Sequence, residues 1–318
     1  MKGITFLFIF SFLLYTVNAQ KSTDPISGKL IIFHAGSLAV PFREITGEFK
    51  KRNPLVDVQM ESAGSVECAR KITDLKKPCD IMASSDYTVI DKMLIPGFTK
   101  WNLPFVSNEM CIVYTEKSKY ADVITQRNWI DILSRQDVVT GRSDPNADPC
   151  GYRSVMTMQL AEKFYRRPGL AKSMLSKNLN MIRPKEVDLI ALLETRTVDY
   201  IFLYKSVAIQ HKLKFLELPD EVNLKNPDMT ELYRSAVVPI KGQKPGEEKI
   251  MTGEPMIYGI TMLDNAPNKQ AALAFLEFLM DPKTGMFILN RNGQPSVRPA
   301  KNPGYNFIPE SLKKYALP

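Results

Sequence analysis

The chain has 318 residues, a formal net charge of +8, four Cys and two His. Its basic residues are scattered among acids rather than gathered in blocks, which argues against nucleic-acid binding and for a modestly basic solvated surface. Two His in so long a chain carry no zinc signature.

Residues 1–19 read as an export signal: Lys2 gives the positive start, residues 4–17 are almost unbroken apolar, and Val17-Asn18-Ala19 offers a small-residue cleavage site. A membrane-spanning helix is the alternative, but the run is short and no basic flank follows it. The expected product is a free periplasmic protein without a lipid-attachment Cys. About 300 residues remain, enough for one large or two medium α/β domains. In an oxidising compartment Cys68 and Cys79 are a candidate disulfide, with free buried thiols equally open.

The mature chain begins with a strand over residues 29–35 and a helix with Leu38, Phe42, Ile45 and Phe49 on one face, stopped at Asn53-Pro54. Strands follow at 56–62, 80–83 and 110–114, with a helix at 66–75 between the first two. A second unit then has a helix at 129–133, a strand at 138–139, an Asp-Pro loop and a long helix from Tyr152. A helix at 186–193 and a strand at 200–203 come next. Residues 239–247 read as a polar surface loop, 255–263 as a strand, and Ala272, Phe275, Leu276 and Leu279 mark an amphipathic helix. Asp281-Pro282 is expected to cap the helix after it.

Strands alternating with helices predict parallel sheets flanked by helices, in two lobes: residues 28–109 with 259–318, and residues 110–258. The crossings between lobes are expected at 110–114 and 258–263, with a ligand cleft and hinge closure between the lobes.

Three motifs could carry chemistry. His34-Ala-Gly-Ser37 and Ser62-Ala-Gly-Ser65 each sit where a strand meets a helix, a place for free backbone N–H groups to hold an anion. Ser37 and Ser65 would donate to it; ordinary turn chemistry explains such sequences equally well. Asp148, in Asp148-Pro-Cys-Gly-Tyr-Arg-Ser154, is either an Asx-turn residue or a carboxylate turned toward the same anion, where it would repel it. A Ser37–His34 hydrolase is the reading from another class, but no Gly-x-Ser-x-Gly elbow is present and three residues' separation suits a base–nucleophile pair poorly.

These motifs, together with Tyr204-Lys-Ser-Val-Ala-Ile-Gln-His211, resemble in order and in kind the tungstate/molybdate-binding proteins of ABC importers, in the branch best known from archaea. The resemblance runs from Lys29 to about Pro299. It implies a periplasmic binding protein of type II, tungstate or molybdate as ligand, an ABC permease as partner, a monomer, no cofactor and no catalysis. It also implies six-coordinate metal, with Asp148 and Glu186 (in Lys-Glu-Val-Asp-Leu) as the two added ligands and Asp188 as the nearest substitute for Glu186. Ser37, Ser65, Tyr204 and the Cys150 backbone N–H would hold the oxo groups, and Arg153 would brace the loop. A sulfate-like oxyanion or ferric ion is the alternative ligand on this fold, although the tyrosine or histidine cluster usual for ferric ion is not evident.

Overall fold

The computed structural model describes residues 25–242, 246–297 and 299–318. The proposed export signal lies outside them. Twelve strands are present among the described residues: β1 Gly28–Ala35, β2 Val56–Ala63, β3 Ile81–Ser84, β4 Leu103–Ser107, β5 Met110–Tyr114, β6 Thr140–Ser143, β7 Ile182–Arg183, β8 Tyr200–Tyr204, β9 Lys214–Glu217, β10 Val237–Lys241, β11 Glu248–Thr252 and β12 Ile257–Met262.

They form two five-stranded sheets, ordered β2-β1-β3-β12-β4 and β7-β6-β8-β5-β9, plus the hairpin β10-β11. In the first sheet β1 runs parallel to β2 and β3, while β12 is antiparallel to β3 and β4. In the second, β6 runs parallel to β7 and β8, and β5 is antiparallel to β8 and β9. The chain passes from the first sheet to the second between Ser107 and Met110 and returns between Thr252 and Ile257. The segments read as crossings are therefore strands β5 and β12, and the turns of direction fall just before them.

Each sheet is covered by helices whose apolar stripe faces it. In the helix Ala39–Arg52, Phe42, Ile45 and Phe49 are buried at helical spacing, and Phe49 meets Phe275 of the helix Lys269–Met280 edge-on at 5.3 Å. Three readings need correction. The strand expected at 138–139 lies at β6, because the pairing to β8 begins at Thr140 opposite Tyr200. The polar loop at 239–247 instead carries parts of the hairpin β10-β11; β10 alternates exposed and buried residues, and Pro239 falls at an exposed position. Asp281 does not cap the next helix: its Oδ1 accepts from Lys283 N, and the helix Gly285–Arg291 begins after Thr284. Cys68, Cys79, Cys111 and Cys150 are all free and buried, so the candidate Cys68–Cys79 bridge is not formed.

Candidate functional site

Parallel strands place the site. The carboxyl ends of β1, β2 and β3 lie along one edge of the first sheet, and those of β6, β7 and β8 along one edge of the second. Ligands gather at such edges in open α/β sheets. From the first sheet come the turns at Gly36–Ser37, Gly64–Ser65 and Ser85–Asp86; from the second come the loop to Asp148, the segment at Glu186, and Tyr204. The two edges face each other. The Glu67 N–H donates across to Ala147 O at 3.2 Å, and a Cβ added to Gly64 would stand 2.2 Å from that same oxygen. Glycine is required there by close approach of the two backbones.

Asp148 is the N-cap of the helix Pro149–Phe164, with extended backbone and Pro149 at the first helical position. Its Oδ1 accepts from Cys150 N at 3.2 Å and its Oδ2 from Glu186 N at 3.0 Å. The Cys150 N–H, expected to face an anion, is thus held by the capping carboxylate; the Cys150 thiol donates to Phe202 O instead. The helix expected from residue 186 starts only at Asp188. Glu186 is freed from it and buried to 1% exposure beside Asp148, whereas Asp188 is partly exposed near Lys185.

Neither Glu186 oxygen has a hydrogen-bond partner among the described residues. Both lie against the first lobe, 3.0 Å from where a Cβ on Gly36 would be. Burial first, and then the neighbouring Asp148 charge, push the Glu186 carboxyl well above the usual carboxylate range. Burial pushes Asp148 the same way, opposed by the donors it accepts from. Two carboxylates thus share a buried site, one of them without a hydrogen-bond donor among the described residues. This is costly unless a proton or an electron-poor centre joins them.

The hydroxyls around this pair are held in hydrogen-bonded chains, and for Ser37 and Tyr204 the neighbours set the hydrogen direction. Tyr258 OH accepts from Asn108 Nδ2 at 2.8 Å and donates to Ser37 Oγ at 2.9 Å, which leaves the Ser37 hydrogen for another acceptor. Ser65 Oγ accepts from Ser85 N at 3.0 Å and lies 3.2 Å from Ser85 Oγ. Tyr204 OH accepts from Arg153 Nη1 at 3.2 Å, so its own hydrogen is free to donate. Gln294 Nε2 steadies the Ser37 turn through Ser37 O. Burial raises the phenols of Tyr152, Tyr204 and Tyr258, so without ligand they are neutral hydrogen-bond donors.

Ser37, Ser65, Asp148, Glu186 and Tyr204 therefore line the interface that joins the lobes. Sequence reasoning missed Gly36 and Gly64 as contact points, and also Ser85, Asn108, Tyr258 and Gln294. Gly36 and Gly64 stood inside the two Gly-Ser turn motifs, and Ser85 carried a signal as part of Ser84-Ser85-Asp86 after a third strand. Arg153 braces the opposite lobe rather than its own loop, donating to Ser85 O at 2.6 Å. The hydrolase pairing does not form. His34 Nδ1 bonds to Ala35 O at 2.8 Å, burial lowers its pKa to about 4, and the hydroxyl partner of Ser37 is Tyr258.

Residues 30–293 match the model of the family described as bacterial extracellular solute-binding protein. The chain is 40% identical to the molybdate/tungstate-binding protein WtpA of Pyrococcus abyssi, over 92% of this chain and 91% of that one. It is 44% identical to a solute-binding protein of Petrotoga mobilis, over 99% and 98%. Among solved structures, the periplasmic molybdate-binding protein of Azotobacter vinelandii shares the fold, with a TM-score of 0.61 at 15% identity over 85% of this chain and 99% of that one. The two-lobed architecture is accordingly that of the periplasmic binding proteins, and the chain belongs to the bacterial extracellular solute-binding protein family.

Proposed function

We propose that this protein captures tungstate or molybdate outside the cytoplasm and delivers it, as a monomer, to an ABC permease. The observation that carries the reading is the buried Asp148–Glu186 pair, with neither Glu186 oxygen given a donor among the described residues and both facing the Gly36–Ser37 turn. An ordinary dianion placed there would be expelled, since two like charges 4 Å apart at an effective dielectric near 20 repel by about 4 kcal/mol. A hard metal centre that can add oxygen donors to its oxo groups reverses the sign, because each carboxylate then forms a donor bond. Sulfur in sulfate cannot expand in this way. The 40% identity to a protein named for molybdate and tungstate supports the same ligand. Ser37, Ser65 and Tyr204 would donate to the oxo groups, and the N-terminus of the helix Pro149–Phe164 adds a favourable field.

Calorimetric titration with tungstate, molybdate, sulfate and phosphate side by side tests the reading: tight binding of the first two and weak binding of the others is expected. Equal affinity for sulfate would remove the metal-coordination explanation. In the same assay Ser37→Ala and Ser65→Ala should each weaken tungstate binding by roughly 1–3 kcal/mol, the range for losing a hydrogen bond to a charged group. If neither changes the affinity, the oxo groups are held elsewhere.

A further inference from the structure

Asp86 divides its two carboxylate oxygens between the lobes. Oδ1 serves its own lobe: it accepts from Thr88 N and Thr88 Oγ1, both at 2.9 Å, and so caps the helix Tyr87–Met93. Oδ2 serves the other lobe: it accepts from Tyr152 OH at 2.5 Å and lies 3.4 Å from Arg153 Nη2. Arg153 also donates through Nη1 to Ser85 O at 2.6 Å. Tyr152 and Arg153 leave the first two turns of the helix that Asp148 caps, so this contact and the proposed ligand site are fixed to one rigid element. All three side chains are nearly or fully buried, at 6%, 1% and 3% exposure for Asp86, Tyr152 and Arg153. A second interlobe arginine differs in this respect: Arg70 donates to Asn146 O and Lys241 O at the partly exposed rim.

We propose that Tyr152 and Arg153 closing onto Asp86 form an interlobe latch that sets how long a ligand is retained, without touching the ligand. The latch rests on the reading that tungstate is enclosed between the lobes. When the lobes part, Asp86 keeps its capping bonds through Oδ1, so the first lobe is undisturbed. Of the Asp86 bonds only those at Oδ2 are lost, together with the Arg153 bond to Ser85 O, and Arg153 and Tyr152 regain water. Those bonds therefore count toward the closed, ligand-bound state and not toward folding of either lobe. Arg153 adds a link between closure and recognition. The same guanidinium that grips Ser85 O holds Tyr204 OH as an acceptor, turning the phenolic hydrogen away from itself.

The division of oxygens supplies a clean variant. Asp86→Asn retains an oxygen to cap the helix but puts an NH2 group where Tyr152 and Arg153 need an acceptor. Tyr152→Phe removes the same bond from the other side. Arg153 is left unchanged because it also touches Tyr204. With the full chain and tungstate as probe, each variant should raise the Kd on the order of 10- to 100-fold, as expected for a buried charge-assisted bond. The double variant should add little to Asp86→Asn, which already breaks the Tyr152 bond together with the Arg153 contact. The ratio of tungstate to molybdate affinity should stay at the wild-type value, and so should the melting midpoint without ligand. An unchanged Kd in a wild-type background that binds tungstate overturns the latch alone. So does a ligand-free midpoint that falls in step with affinity, because the contact would then be part of the fold. A wild type that binds no tungstate overturns the ligand reading first, and the latch with it.

Discussion

Asp148→Ala should weaken tungstate binding by 100-fold or more, in the full chain at neutral pH. Loss of groups that merely support a metal ligand costs roughly 10–100-fold, and Asp148 is assigned as a ligand that in addition places Glu186 through its amide at 3.0 Å. The sign matters more than the size. If Asp148 only bordered an anion, removing its charge would relieve repulsion and tighten binding. The cap at Cys150 N is lost in the same variant, at a cost of about 1 kcal/mol of stability. Asp148→Asn separates the effects, since it keeps a capping oxygen while weakening the donor bond. Titration of both variants with tungstate checks this: tighter binding in either one contradicts metal ligation by Asp148.

Glu186→Gln should make the ligand-free protein more stable at neutral pH while impairing tungstate capture. Burial and the Asp148 charge raise the folded-state pKa of Glu186 well above its ordinary value of 4.5. The folded state therefore holds this proton more tightly than the unfolded state, and stability falls as pH rises from about 4.5 through the raised value. Asp148, also raised by burial, contributes with the same sign. Gln at 186 carries no charge to desolvate, so the pH-dependent loss from this position disappears. At pH 7 the ligand-free melting midpoint should rise by at least about 2 °C, corresponding to roughly 1 kcal/mol in a chain of this size. Its decline with pH should also become shallower. Melting curves from pH 4 to 8 with and without tungstate check both halves: a lower midpoint for the variant at pH 7 contradicts the strained carboxylate pair.

The sheets and the two serine turns were readable because their signals are local. Alternating strands and helices, Gly-Ser at strand ends, and Asp-Pro as N-cap and first helical residue each act within a few positions. Asp148 was legible for that reason. Glu186 was found only through resemblance, and its helix was drawn two residues too early. The helical periodicity around Leu189 and Leu193 does not say that the chain enters the helix after Glu186 rather than before it. The hairpin β10-β11 was hidden by Pro239, which is tolerated because it occupies an exposed position of a two-stranded ribbon. Contacts between the lobes were illegible altogether. Tyr152 meets Asp86 across 66 positions of sequence, and Arg153 meets Ser85 across 68. No local pattern records such pairs, since only closure of one lobe on the other brings them together.

The central claim is that two protein carboxylates complete the coordination of the bound metal. X-ray absorption on the tungstate complex measures this directly through coordination number and tungsten–oxygen distances. Six oxygen neighbours are predicted, four oxo groups with Asp148 and Glu186 beyond them, falling to fewer in Glu186→Gln. Four neighbours at the distances of free tungstate would contradict it.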